Sequence, residues 1–304
     1  MADQLPGFYV QQFSTNIQLL LQQKGSRLRS AVMTGTHVGS QASPVDQIQP
    51  VVANKVISRY AAMPRTDALL TRRWTFPVDY DINQLIDSFD KLRMLTDPSS
   101  NFVQNAMYAL GRAMDQEIIN AFFGSSATGV NGSSSIAFGS TLSTSSGQTV
   151  SVSQGSASAA GMSVAKLREA KRVLMKNEVD LDSDPIYCAI TAKQHDDLLS
   201  EVQVIDADYN GGKPVMDEGR ISRFLGINFI HTELLNTGTD DASGTSTLVP
   251  IWAKSGMYMG TWNELNTDVS QRKDIQGLPW QAYAKGTFGG ARLDEKRVIQ
   301  VYCR

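Results

Sequence analysis

Leu95-Thr-Asp-Pro-Ser-Ser-Asn-Phe-Val103 opens a run that passes through Tyr108-Ala-Leu-Gly-Arg112-Ala-Met-Asp115-Gln-Glu-Ile-Ile119 and closes on Phe122-Phe-Gly124. Thr96 and Asp97 can cap a helix, and Pro98 suits its first turn because the missing N–H has no partner there anyway. Val103, Met107, Leu110, Met114, Ile118, Ala121 and Phe122 recur at three- and four-residue spacing, which places them on one face. Gly124 stands where a helix C-terminus ends. The spacing predicts a helix over 98–123, a rod of roughly 39 Å at about 1.5 Å per residue.

The regions on either side have different compositions. Residues 124–161 hold 13 Ser, 7 Gly and 4 Thr and no charged residue. Ile136, Phe138, Thr149, Val150 and Val152 alternate around 145–147, which predicts a Ser/Thr-rich β-hairpin there. Upstream, Ile17, Leu20, Leu21 and Leu28 fit one side of a short helix, which Gly35, Gly39 and Pro44 end. From Ile48 to Tyr80, β-prone pairs are interrupted by Pro50, Pro64 and Pro77, and alternation is weak. An extended arm and a long two-stranded loop are expected, whose apolar side chains need a neighbour to bury them.

Beyond residue 162 helices and strands mix. A helix is expected from Val164 to about Asn177, with Lys166, Arg168, Lys171, Arg172 and Lys176 on a solvated face. Strands are expected at Ile186–Thr191, Ile227–Ile230 and Val298–Tyr302. Leu248–Ala253 and Met257–Trp262 are expected to pair about Ser255-Gly256. The fold class is α+β.

With 304 residues, 41% hydrophobic and 19% charged, the chain can bury a real core. Its formal charge of −2 excludes attachment to nucleic acid through a large overall positive charge. That charge is uneven. Residues 1–73 carry eight basic residues against three acids, so the other 231 residues carry a net −7. Such a basic arm can attract nucleic acid or the acidic body of another copy. Two cysteines, Cys188 and Cys303, exclude a disulfide scaffold, and buried inert thiols are expected. No targeting peptide and no membrane-length apolar run are present, so a soluble intracellular protein is the default expectation.

The search for catalytic motifs is negative. Gly211-Gly-Lys213 lacks the spacing of a phosphate loop, since Ala207 and Pro214 stand at required positions. Asp180-x-Asp182-x-Asp184 fails as a calcium loop at Pro185 and Thr191, and reads as a connection with solvated acids. His195, near Asp196 and Asp197, has no nucleophile placed beside it and reads as a surface or capping histidine. Gly286-Thr-Phe-Gly-Gly290 lacks dinucleotide spacing and reads as a packing site. No cofactor is expected, nor any enzyme activity.

Three stretches carry a resemblance: 95–119 with its Gly111-Arg112-x-x-Asp115 step, Gly219-Arg-Ile-Ser-Arg-Phe-Leu-Gly226-Ile-Asn-Phe229, and Gly290-Ala-Arg-Leu-Asp294 followed by Val298-Ile-Gln-Val301. Their order resembles the major capsid proteins of tailed bacteriophages, which share the Hong Kong 97-type shell fold. The resemblance implies an N-terminal arm (1–45), an extended loop and return (46–96), and a peripheral domain (97–161). It further implies an axial domain (162–262) and closing strands (263–304). It implies self-assembly through pentamers and hexamers into an icosahedral shell around double-stranded DNA, without sequence-specific contact. Lys55, Arg59, Arg65, Arg72, Arg73, Arg112 and Asp115 are the expected inter-subunit contacts.

The resemblance also implies a portal and a decoration protein as partners. Because the arm-like region begins near Met1, a separate scaffolding protein is expected. No membrane is involved; the expected location is the virion, with assembly in the host cytoplasm. Some family members cross-link a loop lysine to an asparagine; Lys55 with Asn263 or Asn266 is conceivable, and no spacing singles them out. The alternatives are a cellular nanocompartment shell and, in a different class, a surface-binding or decoration protein.

Overall fold

The computed structural model describes residues 22–39, 42–56, 58–59, 62–63, 65–86, 99–139, 147–205, 216–217 and 219–304. Strands β1 (Met33–Thr36), β2 (Ser43–Ile48), β3 (Leu70–Thr75) and β4 (Val78–Ile86) precede the long helix α1 (Ser99–Phe123). Short strands β5 (Ser126–Thr128), β6 (Ser134–Ile136) and β7 (Thr149–Val150) lead to α2 (Val164–Lys176). Then come β8 (Ile186–Ile190), α3 (Ala192–Leu199), α4 (Val202–Ile205), β9 (Met216–Asp217), β10 (Arg220–Ile221) and β11 (Arg223–Phe224). The chain closes with β12 (Ile227–His231), β13 (Thr237–Thr239), β14 (Thr245–Ala253), β15 (Met257–Gln271), β16 (Trp280–Arg292) and β17 (Val298–Cys303). The helix expected early in the arm and the start signal at 96–98 lie largely outside the described residues.

Two units result, each built from three stretches of chain. Unit one comprises Met1–Gly25, Asp79–Ala113 and Asn263–Thr287. Unit two comprises Ser26–Val78, Met114–Trp262 and Phe288–Arg304. In unit one, Ala106 and Leu110 of α1 meet Ala284 of β16, with Tyr80 and Ile82 of β4 packed alongside. Thr287 Oγ1 donates to Asp79 Oδ1 at 2.6 Å.

Unit two is organised by a mixed sheet in the order β11-β12-β8-β14-β17-β7, with β13 on β14. β8 and β12 run parallel, and β14 lies antiparallel to both β8 and β17. Its core joins Cys188, Ile190, Val249, Ile251, Ile299 and Val301 to Leu167, Ala170 and Leu174 of α2. Those α2 residues lie three and four apart, so one helix face covers the sheet. Ser163 caps α2 by accepting from Lys166 N, and a capping box of Thr191 and Gln194 starts α3. Leu225 and Gly226, both at positive φ, form the two-residue turn joining β11 to β12.

Four expectations need correction. Leu248–Ala253 and Met257–Trp262 do not pair with each other. Both edges of β14 are already taken by β8 and β17, and the 3₁₀ turn Lys254–Gly256 sends the chain on to pair Met33–Thr36 with Tyr258–Thr261 in parallel. The Ser/Thr-rich hairpin forms earlier than expected, with Ser126–Thr128 against Ser134–Ile136, while Thr149 and Val150 pair with Gln300 and Val301. Residues 140–146, most of the expected turn, lie outside the described residues.

Lys166 is not on a solvated face. It is buried, and its Nζ donates to Ala160 O and Tyr302 O, both at 2.7 Å. Burial pushes its pKa down. Asp184 is not a solvated acid either: it accepts from Ser255 N at 3.3 Å and pairs with Arg297 at 3.6 Å.

Candidate assembly surfaces

The two-stranded loop is present as an antiparallel pair, Ser43–Ile48 against Leu70–Thr75, extended by β5 and β6 into a four-stranded sheet. Beyond Ile48 and Leu70 the chain continues as an apolar stretch open to solvent. Val52, Val56 and Met63 are 82%, 83% and 94% exposed. Ile48, Val51, Leu69 and Leu70 are exposed as well. An isolated exposed apolar residue is ordinary, but seven on one loop mark a contact surface.

The charged candidates divide by environment. Lys55 and Arg59 are exposed, and neither makes an ion pair among the described residues. Arg65 pairs with Asp67 at 2.8 Å. Arg72 grips Asp46 across the β2–β3 ladder, Nε at 2.5 Å and Nη2 at 3.1 Å, and lies over the Trp74 ring. Through that hydrogen bond the Arg72 pKa moves up and the Asp46 pKa moves down.

Arg73, one residue on, points the opposite way, as alternation in a strand requires. It is buried, donates from Nε to Leu293 O at 3.2 Å, and pairs through Nη2 with Glu295 at 3.1 Å. Arg112 donates to Gln22 Oε1 at 2.7 Å. Asp115 is fully buried and accepts from Ser26 Oγ at 2.5 Å, Arg27 N at 2.9 Å and Leu28 N at 3.1 Å. Arg73, Arg112 and Asp115 therefore act within the subunit in this structure. The Gly111-Arg-x-x-Asp115 step holds successive residues of the N-terminal segment.

The sequence reading did not pick out the group at the centre of unit two. Arg292 is completely buried; its Nη1 donates to Phe122 O and Gly124 O at 2.7 Å, where α1 ends. A cation there answers the helix's unpaired carbonyls and its negative end. Glu295 Oε1 accepts from Arg292 Nε at 3.1 Å, and its Oε2 takes Arg73. Burial pulls the Arg292 pKa down and Glu295 opposes that shift. The local signal was Gly290-Ala-Arg-Leu-Asp294, quoted for its resemblance and not for this role. At Gly289 the expected packing function is visible: a Cβ there would lie 2.0 Å from Phe76 O.

Among the described residues no group of three His, Cys, Asp or Glu could hold a metal, and no helix is long and apolar enough to cross a membrane. The polar network is internal bracing, and the loop presents apolar and cationic side chains outward.

The chain belongs to the phage capsid protein family, whose match covers residues 5–304. It is a major capsid protein, a structural component of the virion. Its fold is similar to the capsid of cyanophage P-SCSP1u, at 12% identity and TM-score 0.73 over 98% of this chain and 93% of that one. It is also similar to the cyanophage Pam1 capsid, at 11% identity and TM-score 0.72 over 100% and 99%. The capsid of Ralstonia phage GP4 aligns at 11% identity and TM-score 0.67 over 100% and 99%. None of the curated proteins matches the sequence. The family does not favour the nanocompartment or decoration alternatives.

Proposed function

We propose that this capsid protein assembles, through pentamers and hexamers of the Hong Kong 97 type, into the icosahedral head of a tailed phage around double-stranded DNA. The exposed apolar loop between β2 and β3 carries the reading: seven large apolar side chains have no cover within the subunit. Lys55 and Arg59 on the same loop face the acidic remainder of a neighbouring copy, which steers the contact. In this reading 1–45 is the arm, 46–96 the extended loop, 97–161 the peripheral domain, 162–262 the axial domain and 263–304 the closing strands. Closed symmetry then multiplies modest interfaces.

Scaffolding, portal and decoration proteins complete the particle, which forms in the host cytoplasm. The DNA meets no sequence-reading site, in keeping with a near-neutral chain. Sedimentation and negative-stain electron microscopy of the purified chain test this: rings or closed shells are expected, and a strictly monomeric species at every concentration refutes it.

A further inference from the structure

A concavity of about 940 Å³ opens in unit two beside α3, β10 and β12. Arg27, His195, Arg220 and His231 converge on it, over an apolar floor that includes Ile190 and Ile221. No Asp or Glu occurs among the described residues lining it, although the chain from 74 onward is net acidic. Its charged groups are Arg27 and Arg220, and the side chains around them are partly positioned already. Arg27 Nη1 donates to His231 O at 2.7 Å and lies 3.1 Å from His231 Nδ1, and His231 Nε2 meets Glu233 at 2.8 Å. His195 Nε2 accepts from Ile221 N at 3.2 Å. Arg220 is exposed, and its side chain makes no hydrogen bond or ion pair among the described residues.

We propose that this pocket binds an acidic peptide segment bearing an apolar side chain, supplied by a partner chain. Arg27 and Arg220 meet the carboxylates and the floor takes the apolar group. Nucleic acid fits less well. A duplex offers its phosphates on a convex surface that a closed-floored pocket does not admit. The backbone donor at the start of α3, a natural phosphate ligand, is already taken, since Ala192 N donates to Glu233 at 2.7 Å.

The probe is 8-anilinonaphthalene-1-sulfonate, an anion with an apolar body, titrated into the purified chain. Arg220→Glu should weaken the pocket's affinity roughly tenfold, the effect of one charge-assisted contact. Arg220→Gln should weaken it less. Arg168→Glu, on the outer side of α2, should leave it unchanged. Circular dichroism checks that each variant is folded. A hexapeptide of alternating Glu and Leu should displace the dye, and a short DNA duplex should not. Equal dye affinity in Arg220→Glu and the parent chain overturns the proposal. So does displacement by the duplex without displacement by the peptide, which would assign the pocket to nucleic acid.

Discussion

Asp115, in the middle of α1, accepts the backbone N–H of Leu28 at 3.1 Å, across 87 residues of sequence. The same carboxylate takes Arg27 N and Ser26 Oγ, so one buried acid organises the start of the 26–31 turn. Asp115→Ala leaves the buried Leu28 N–H and the partly buried Arg27 N–H without their acceptor. It should lower stability by about 2–3 kcal/mol, seen as a lower urea midpoint, and should speed proteolysis near residues 22–30. Ser26→Ala removes one neutral donor and should cost about 1 kcal/mol.

Glu295 is the single counter-charge shared by Arg292 and Arg73. Glu295→Gln leaves two buried guanidinium groups without an anion and should destabilise the fold by about 3–5 kcal/mol. Replacing all three residues together by apolar side chains of similar volume should cost less than Glu295→Gln alone, because no unpaired charge remains. Chemical denaturation of the single and triple variants checks the order.

Stability should fall in acid through Asp240. Arg304 and Ser246 hydrogen-bond its carboxylate and hold its pKa well below the ordinary 3.8. A depressed folded pKa contributes stability that is present above the unfolded value and lost as pH falls toward the folded one. The stability gap between the parent chain and Asp240→Asn should be constant at neutral pH and shrink once pH drops below 3.8. Denaturation midpoints measured across that range test the sign; a gap that widens in acid contradicts it.

Lys55→Glu with Arg59→Glu should leave subunit stability within about 0.5 kcal/mol, since both side chains are exposed. The same change should impair assembly, measured as the fraction sedimenting as shells. Arg73→Glu should instead fail at folding, because it sets a second acid against Glu295. Arg72 and Arg73, adjacent in sequence, are therefore not equivalent probes of the loop.

Gly289→Ala places a methyl 2.0 Å from Phe76 O, a backbone atom that cannot turn aside. A loss of about 1–3 kcal/mol is expected, read from thermal or urea unfolding.

How much was legible followed the range of each interaction. The apolar stripe of α1, the Gly124 stop, the helix α2 and a loop whose apolar side chains lack cover were all readable, because periodicity, helix-stop signals and missing alternation act over a few residues. The Gly111-Arg-x-x-Asp115 step was visible as a pattern, but its role was not: its partners lie far upstream, at residues 22–28.

The sequence by itself determined the α+β class, the long helix, and a loop unable to bury its own side chains. Only the tertiary structure decided which strands meet and where charge is consumed. β14 could not pair with β15 because β8 and β17 already hold both its edges. Arg73 and Lys166 looked like surface cations, yet each turns inward to carbonyl oxygens more than 130 residues away, Leu293 for one and Tyr302 for the other. Local pattern sets the direction in which a side chain points; a partner distant in sequence decides whether that direction leads to solvent or to the core.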